Sequence, residues 1–192
     1  MCCAVMYDIN QKVVTNKDLQ NKSAWCAHGE SKEKNFVREF GRQLGLKINP
    51  EKENNKYAPD LAYVSNNGLA DLKTQNTPFF TAAKYNCNPS FTVTFNRKDA
   101  DRYRKEEPKI DIYFWVNWIA VRYFRESSNL QYNTDINVEP LNGIWRVSFT
   151  DLDTIIGKSP LHQYQQRVND TQGNAKESYL INLCDPLIQR IF

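Results

Sequence analysis

Several features are scarce in this chain, and each scarcity removes a class of function. Histidine occurs twice in 192 residues, at His28 and His162, which argues against a histidine-rich metal centre. The five cysteines (Cys2, Cys3, Cys26, Cys87 and Cys184) are odd in number and never fall in a Cys-x-x-Cys spacing. Neither a disulfide framework nor a thiolate zinc site is indicated, and reduced thiols are expected. Charge of one sign is not in large excess: 25 Lys and Arg against 22 Asp and Glu give +3. That balance permits a nucleic-acid partner without demanding one. The uncharged apolar run from Ile112 to Val121 is far too short to span a membrane. The N-terminus lacks an apolar core behind a basic start, so secretion is not expected and a cytoplasmic protein without a membrane partner is. A Gly-x-Ser-x-Gly elbow and a Walker-type phosphate loop are both missing. With 41% hydrophobic and 24% charged residues and no repeats or linker, one domain over 1–192 is expected.

What is present reads as an α/β chain with a mixed central β-sheet flanked by helices. Residues 1–24 hold two short apolar runs and suggest a peripheral strand or arm. A helix is expected from Glu30 to Leu44, stopped by Gly45, with Phe36, Val37, Phe40 and Leu44 as its apolar stripe. Glu33 stands three, four and seven residues before Phe36, Val37 and Phe40, so it shares the buried face. A carboxylate there is costly unless something binds it. Glu30 lies one turn earlier near the same face. Asn49 to Lys56 reads as a loop, and Phe91 to Asn96 alternates as a half-buried strand. Arg97 to Glu107 mixes both signs of charge and suggests a solvated helix or connector. Ile110 to Phe124 reads as a strand buried on both faces, with Trp115 and Trp118 in the core. Ser127 to Asn142 is loop-like, and Ile144 to Phe149 is another strand. Thr150 and Asp153 suggest a capping box for a short helix with Leu152, Ile155 and Ile156 inward, ending at Gly157. A turn at Asp170 to Asn174 and an apolar run from Tyr179 to Leu183 complete the pattern.

The chemistry is expected between Tyr57 and Gln75. Strands at Leu61 to Val64 and Leu69 to Gln75 flank Asn67-Gly68, a strong hairpin signal. Alternation sets Ala70, Leu72 and Thr74 on one face and Asp71, Lys73 and Gln75 on the other. A two-residue turn would place Asp60 opposite Gln75, roughly 13 Å along the strand from Asp71. A shared site therefore requires a wider loop, or a bulge that carries Asp60.

Pro59-Asp60 followed by Asp71-Leu72-Lys73 resembles the signature of the PD-(D/E)xK nuclease superfamily. His28-Gly29-Glu30-Ser31-Lys32-Glu33 is similar to the glutamate-bearing helix that often precedes it. The order helix, antiparallel strands, helix and strand carries the resemblance over about 28–120, leaving an arm at 1–27 and a C-terminal extension at 121–192. It implies a restriction-endonuclease-like core and a Mg²⁺-dependent deoxyribonuclease, most simply an endonuclease, with Mn²⁺ able to substitute. The resemblance assigns the metal to Asp60, Asp71, the Leu72 carbonyl and Glu33, and makes Lys73 the group beside the attacking water. Gln75 and Glu30 are accessory candidates. Lys84, Arg97, Lys98, Arg122, Arg125 and Arg167 are candidates for DNA phosphates. A homodimer would put one site on each strand. The alternatives are a nuclease of branched DNA and a non-catalytic nucleic-acid-binding module on the same fold.

Overall fold

The first two strands, β1 (Ala4–Tyr7) and β2 (Val13–Val14), pair around a turn in which Asp8 Oδ1 accepts the Asn10 and Lys12 N–H groups. The computed structural model describes residues 4–14, 31–55, 57–66, 68–127, 133–164 and 176–192. Residues 31–44 form helix α1, which widens to a π turn over Val37–Gly41. Gly45 ends it with φ 64, a left-handed conformation that glycine adopts without a steric penalty. Gly41 is needed for another reason: a Cβ there would sit 2.8 Å from the Leu46 carbonyl oxygen.

The chain then builds an antiparallel meander of β3 (Leu46–Ile48), β4 (Leu61–Tyr63) and β5 (Leu69–Gln75). After β6 (Thr92–Asn96) and α2 (Arg97–Glu106), β7 (Asp111–Asn117) returns parallel to β5. There follow β8 (Arg122–Arg125), β9 (Thr134–Asn137), β10 (Asn142–Ser148), α3 (Phe149–Ile156), β11 (Leu161–Gln163), β12 (Glu177–Asn182) and β13 (Gln189–Arg190). The central sheet has the order β13-β10-β7-β5-β4-β3 and is mixed, with β5 and β7 its parallel pair. A three-stranded sheet, β11-β12-β6, and a four-stranded one, β2-β1-β8-β9, accompany it.

Strand β7 is buried on both faces, as its apolar residues on both parities predict. Ile112, Phe114 and Val116 enter a core with Val93, Phe95, Tyr103, Phe149 and Leu152. Tyr113 enters a second core with Phe36, Leu61, Ala70, Leu72 and Ile144. The alternation of β5 is resolved in the same way, with Ala70 and Leu72 under α1. A fully buried side chain such as Phe36 contributes about 1.5–3 kcal/mol, so this second core is what holds α1 onto the sheet.

Four expectations need correction. The run Ile110 to Phe124 is two strands, not one. β7 stops at Asn117, and Trp118 turns the chain, its N–H donating to the Leu141 carbonyl at 2.8 Å and its Nε1 to the Ser90 carbonyl at 2.9 Å. The break is invisible to periodicity because Ala120 and Val121 stay buried as the chain passes to another sheet. The expected loop from Ser127 to Asn142 contains β9, with half-buried Thr134 and Ile136 alternating with exposed Asp135 and Asn137. Ser148, not Thr150, caps α3: its Oγ accepts the Asp151 N–H at 3.1 Å and donates to Asp151 Oδ2 at 2.6 Å. β10 runs directly into α3, so the cap falls on the last strand residue. Finally, α2 is not merely solvated, since Ala100 and Tyr103 are buried. The turn expected at 170–174 lies outside the described residues.

Leu152, Ile155 and Ile156 do face inward, and Gly157 ends α3. Trp118 is a core residue, while half-buried Trp115 packs against Phe36 and Phe40. Cys87 and Cys184 are free thiols. Among the described residues no helix is long and apolar enough to cross a membrane.

Candidate active site

Register decides whether the acids meet. Leu61 pairs with Ala70 and Ala62 with Leu69, and the Tyr63 N–H donates to the Gly68 carbonyl at 2.8 Å. The hairpin connection is therefore wider than a two-residue turn, and Asp60 comes opposite Asp71. The Asp60 N–H donates to Asp71 Oδ1 at 3.4 Å, and the Leu72 N–H donates to Asp60 Oδ2 at 3.2 Å. The N–H and C=O of one strand residue leave the strand on the same edge. The Leu72 carbonyl thus faces the edge that Asp60 occupies.

A buried asparagine orders the approach to this hairpin. Asn49 Nδ2 donates to the Pro59 carbonyl at 2.9 Å, and the Asn49 N–H donates to the Asp60 carbonyl at 3.0 Å. Asn49 Oδ1 also accepts the Glu51 N–H at 3.1 Å, capping a 3-10 turn over Pro50–Glu53. That turn delivers Lys52. Its Nζ lies 2.6 Å from Glu33 Oε2 and also donates to Asp60 Oδ1. The Glu33 and Lys52 side chains are 16% and 18% exposed, so Glu33 does lie on the mostly buried face of α1.

A second lysine serves the other acids. Lys73 Nζ lies 2.7 Å from Asp71 Oδ2 and donates to Asp99 Oδ2 at 2.6 Å. The first contact is close in distance but not directed as a hydrogen bond. Asp71 Oδ2 is consequently buried without a hydrogen-bond partner. Arg102, one turn along α2, donates to the Tyr57 carbonyl and to the Tyr103 hydroxyl, both at 2.7 Å. Four carboxylates (Glu33, Asp60, Asp71, Asp99) thus face two lysines and an arginine.

Their protonation follows from burial and neighbours. Burial, then the Asp71 carboxylate, pushes Asp60 up to about 7. Burial alone would raise Asp71 as well, but the Lys73 ammonium, Tyr103 and Arg102 outweigh it and hold Asp71 below the usual range. Burial would lower Lys73, yet Asp71, Tyr103, Asp99 and Asp60 keep it well above its ordinary value and charged. Lys52 is likewise raised, with Asp60 and Glu33 overcoming its burial.

The other expected residues are dispersed. Gln75 tethers two sheets, its Oε1 accepting the Thr94 N–H at 3.0 Å and its Nε2 donating to the Thr77 carbonyl at 3.1 Å. Arg97 pairs with Glu177 at 2.8 Å at the start of α2, where Lys98 is exposed. Lys84 is exposed on the 3-10 segment Phe80–Tyr85. Arg122 and Arg125 lie on β8, in the four-stranded sheet, with Arg122 held by both oxygens of Asp135. Glu30 and Arg167 lie outside the described residues.

Sequence reasoning missed Asn49, Lys52, Asp99 and Arg102. Asn49-Pro50 carried a legible signal, an N-cap followed by a proline at the first helical position. Asp99 had none, because a mixed charge run does not say which acid turns inward.

Among the described residues no group of three or more His, Cys, Asp or Glu side chains converges on one cation position. Glu33 meets Asp60 through Lys52. Even so, the donors at the hairpin suit a hard divalent cation: they are all oxygens, and one of them, Asp71 Oδ2, is buried and lacks a hydrogen bond. Comparison with family models, with curated proteins and with solved structures returns no match. What the site can do follows from its own groups.

Proposed function

We propose that the chain is a divalent-metal-dependent nuclease that hydrolyses DNA phosphodiester bonds, with Asp60, Asp71 and Lys73 at its centre. The observation that carries this reading is the pairing of Asp60 with Asp71 across the hairpin, with Asp71 Oδ2 buried, 2.7 Å from the Lys73 ammonium and without a hydrogen bond of directed geometry. A helix, a three-stranded meander, a second helix and a strand parallel to the third support a restriction-endonuclease-like core.

Asp60, Asp71 and the Leu72 carbonyl would hold Mg²⁺ or Mn²⁺, with Glu33 available at the rim. Such a cation, when bound, supplies a more acidic water and neutralises charge on the reacting phosphate. Lys73 keeps its proton at neutral pH because three acids surround it. It holds a fixed positive charge where negative charge develops on the phosphoryl oxygens. Asp99 and Asp71 together restrain its side chain, so little reorganisation is needed at the moment of reaction. Asp60 must lose its proton to serve as a donor, which couples activity to pH.

The test is cleavage of supercoiled plasmid and linear duplex with Mg²⁺, with EDTA, and by Asp71→Ala. Metal-dependent cutting lost in Asp71→Ala supports the nuclease and its centre. Firm DNA binding with no cutting of any DNA, unaffected by the substitution, leaves a non-catalytic binding module.

A further inference from the structure

Lys52 belongs to no part of the expected signature, yet it is the side chain that joins Glu33 to Asp60. Its position is built rather than incidental. Asn49, 3% exposed, ties the turn that carries Lys52 to the backbone of Pro59 and Asp60 by two hydrogen bonds and caps the turn itself by a third, from the Glu51 N–H. The lysine stem therefore enters the site from a fixed base. Its ammonium occupies the space between two carboxylates from separate elements, helix α1 and the start of β4.

We infer that Lys52 is a resident counter-ion that competes with the catalytic metal for Glu33 and Asp60. The inference rests on the nuclease reading and goes beyond it. An ammonium 2.6 Å from Glu33 and in contact with Asp60 stands where a cation shared by those acids would bind. Two cations cannot use the same carboxylate oxygens at ligand distance without strong repulsion. If Glu33 joins Asp60 around a metal, Lys52 must withdraw. Its charge then becomes available to the incoming phosphodiester. Lys73 has a different role, because its ion-pair partners are Asp71 and Asp99 rather than Glu33 and Asp60.

Two measurements test this on the whole chain, with Mn²⁺ as the probe. Calorimetric titration of the wild type, Asp71→Ala and Lys52→Met reads metal affinity. Loss of one competing, partly desolvated ion pair should tighten Mn²⁺ binding in Lys52→Met by about five- to tenfold. A merely structural lysine predicts the opposite sign, unchanged or weaker binding. Competitive acetylation of wild-type lysines, followed by mass spectrometry, needs no variant. Lys52 should be protected without metal and gain reactivity on adding Mn²⁺, measured against the exposed Lys47 and Lys109. Should Lys52→Met fail to fold, this labelling decides alone. Asp71-dependent Mn²⁺ binding without tighter binding in folded Lys52→Met, or without the rise in Lys52 labelling, overturns the counter-ion role and leaves the metal site standing. Absence of any Asp71-dependent Mn²⁺ binding overturns both readings.

Discussion

Two buried aspartates on neighbouring strands, Asp71 on β5 and Asp111 on β7, meet opposite fates. Asp111 is served by three directed hydrogen bonds at one oxygen. Its Oδ2 accepts the Tyr63 hydroxyl and both Nε and Nη2 of Arg146, the latter at 3.1 and 2.7 Å. Tyr113 closes the network on Tyr63 at 2.9 Å. That arrangement binds β4, β7 and β10 together through a single carboxylate oxygen. Asp71 is buried more deeply, 2% exposed against 9%, yet its Oδ2 has a charge nearby and no directed hydrogen bond. Folding gains from satisfying a buried carboxylate, so an acid left short in a well-packed sheet is the one to suspect of binding something else.

The comparison breaks if both aspartates behave alike on substitution. The largest effect is expected for Asp71→Ala, which should lower metal-dependent cleavage by about 10³-fold or more while the circular dichroism spectrum is retained. Equal cleavage by the variant in a gel assay would remove Asp71 from the site. Lys73→Gln comes next. It should slow cleavage by about 10²- to 10³-fold and still bind Mn²⁺, which separates charge stabilisation from metal binding.

Asp111→Asn should act on stability instead. Removing one partner of a buried pair costs about 3–5 kcal/mol, and the Arg146 side chain is 45% exposed, so roughly 2 kcal/mol is expected in urea unfolding. Mn²⁺ affinity should not change. A variant of Asp111 that folds normally but no longer binds metal would reverse the assignment of the two aspartates.

The smallest effect sharpens the contrast through pH. Asp60 titrates near 7 in the folded chain, above its ordinary 3.8, so the folded state holds its proton more tightly than the unfolded state does. The stability this contributes is complete below about pH 4 and is lost as pH rises through about 7. Asp71 works the other way, being held low, and weakens the fold only as pH falls beneath the ordinary carboxylate range. In EDTA the unfolding free energy read from urea titrations should therefore drop between about pH 5 and pH 8, by on the order of 1–2 kcal/mol. Asp60→Asn should remove most of that slope. An identical slope in the variant would show that Asp60 carries no such proton.

Much of this was legible beforehand where the signal is local. The alternation of Leu69 to Gln75 gave β5 with its two faces, and Gly45 gave the end of α1. Glu33 stood out because a carboxylate three residues before Phe36 must accompany it toward the core. The single strand expected through Trp118 failed because burial on both sides looks the same whether a chain continues in one sheet or enters another. Gln75 shared a face with Asp71 and Lys73, yet Thr94, nineteen residues on, claimed its side chain.

The sequence by itself determined the end of α1, the two faces of β5, the inward face of α3 and the identity of the acid, acid-x-lysine set, because these depend on residues within a turn or two of each other. Only the tertiary structure decided the rest. Whether Asp60 lies opposite Asp71 or far along the strand depends on hairpin register, which the width of the connection sets. That Lys52 reaches Glu33 across nineteen residues, and Lys73 reaches Asp99 across twenty-six, depends on how α1, the 3-10 turn and α2 pack around the β4–β5 hairpin. Charges are paired by proximity in space, and no local pattern encodes which distant acid a given lysine will meet.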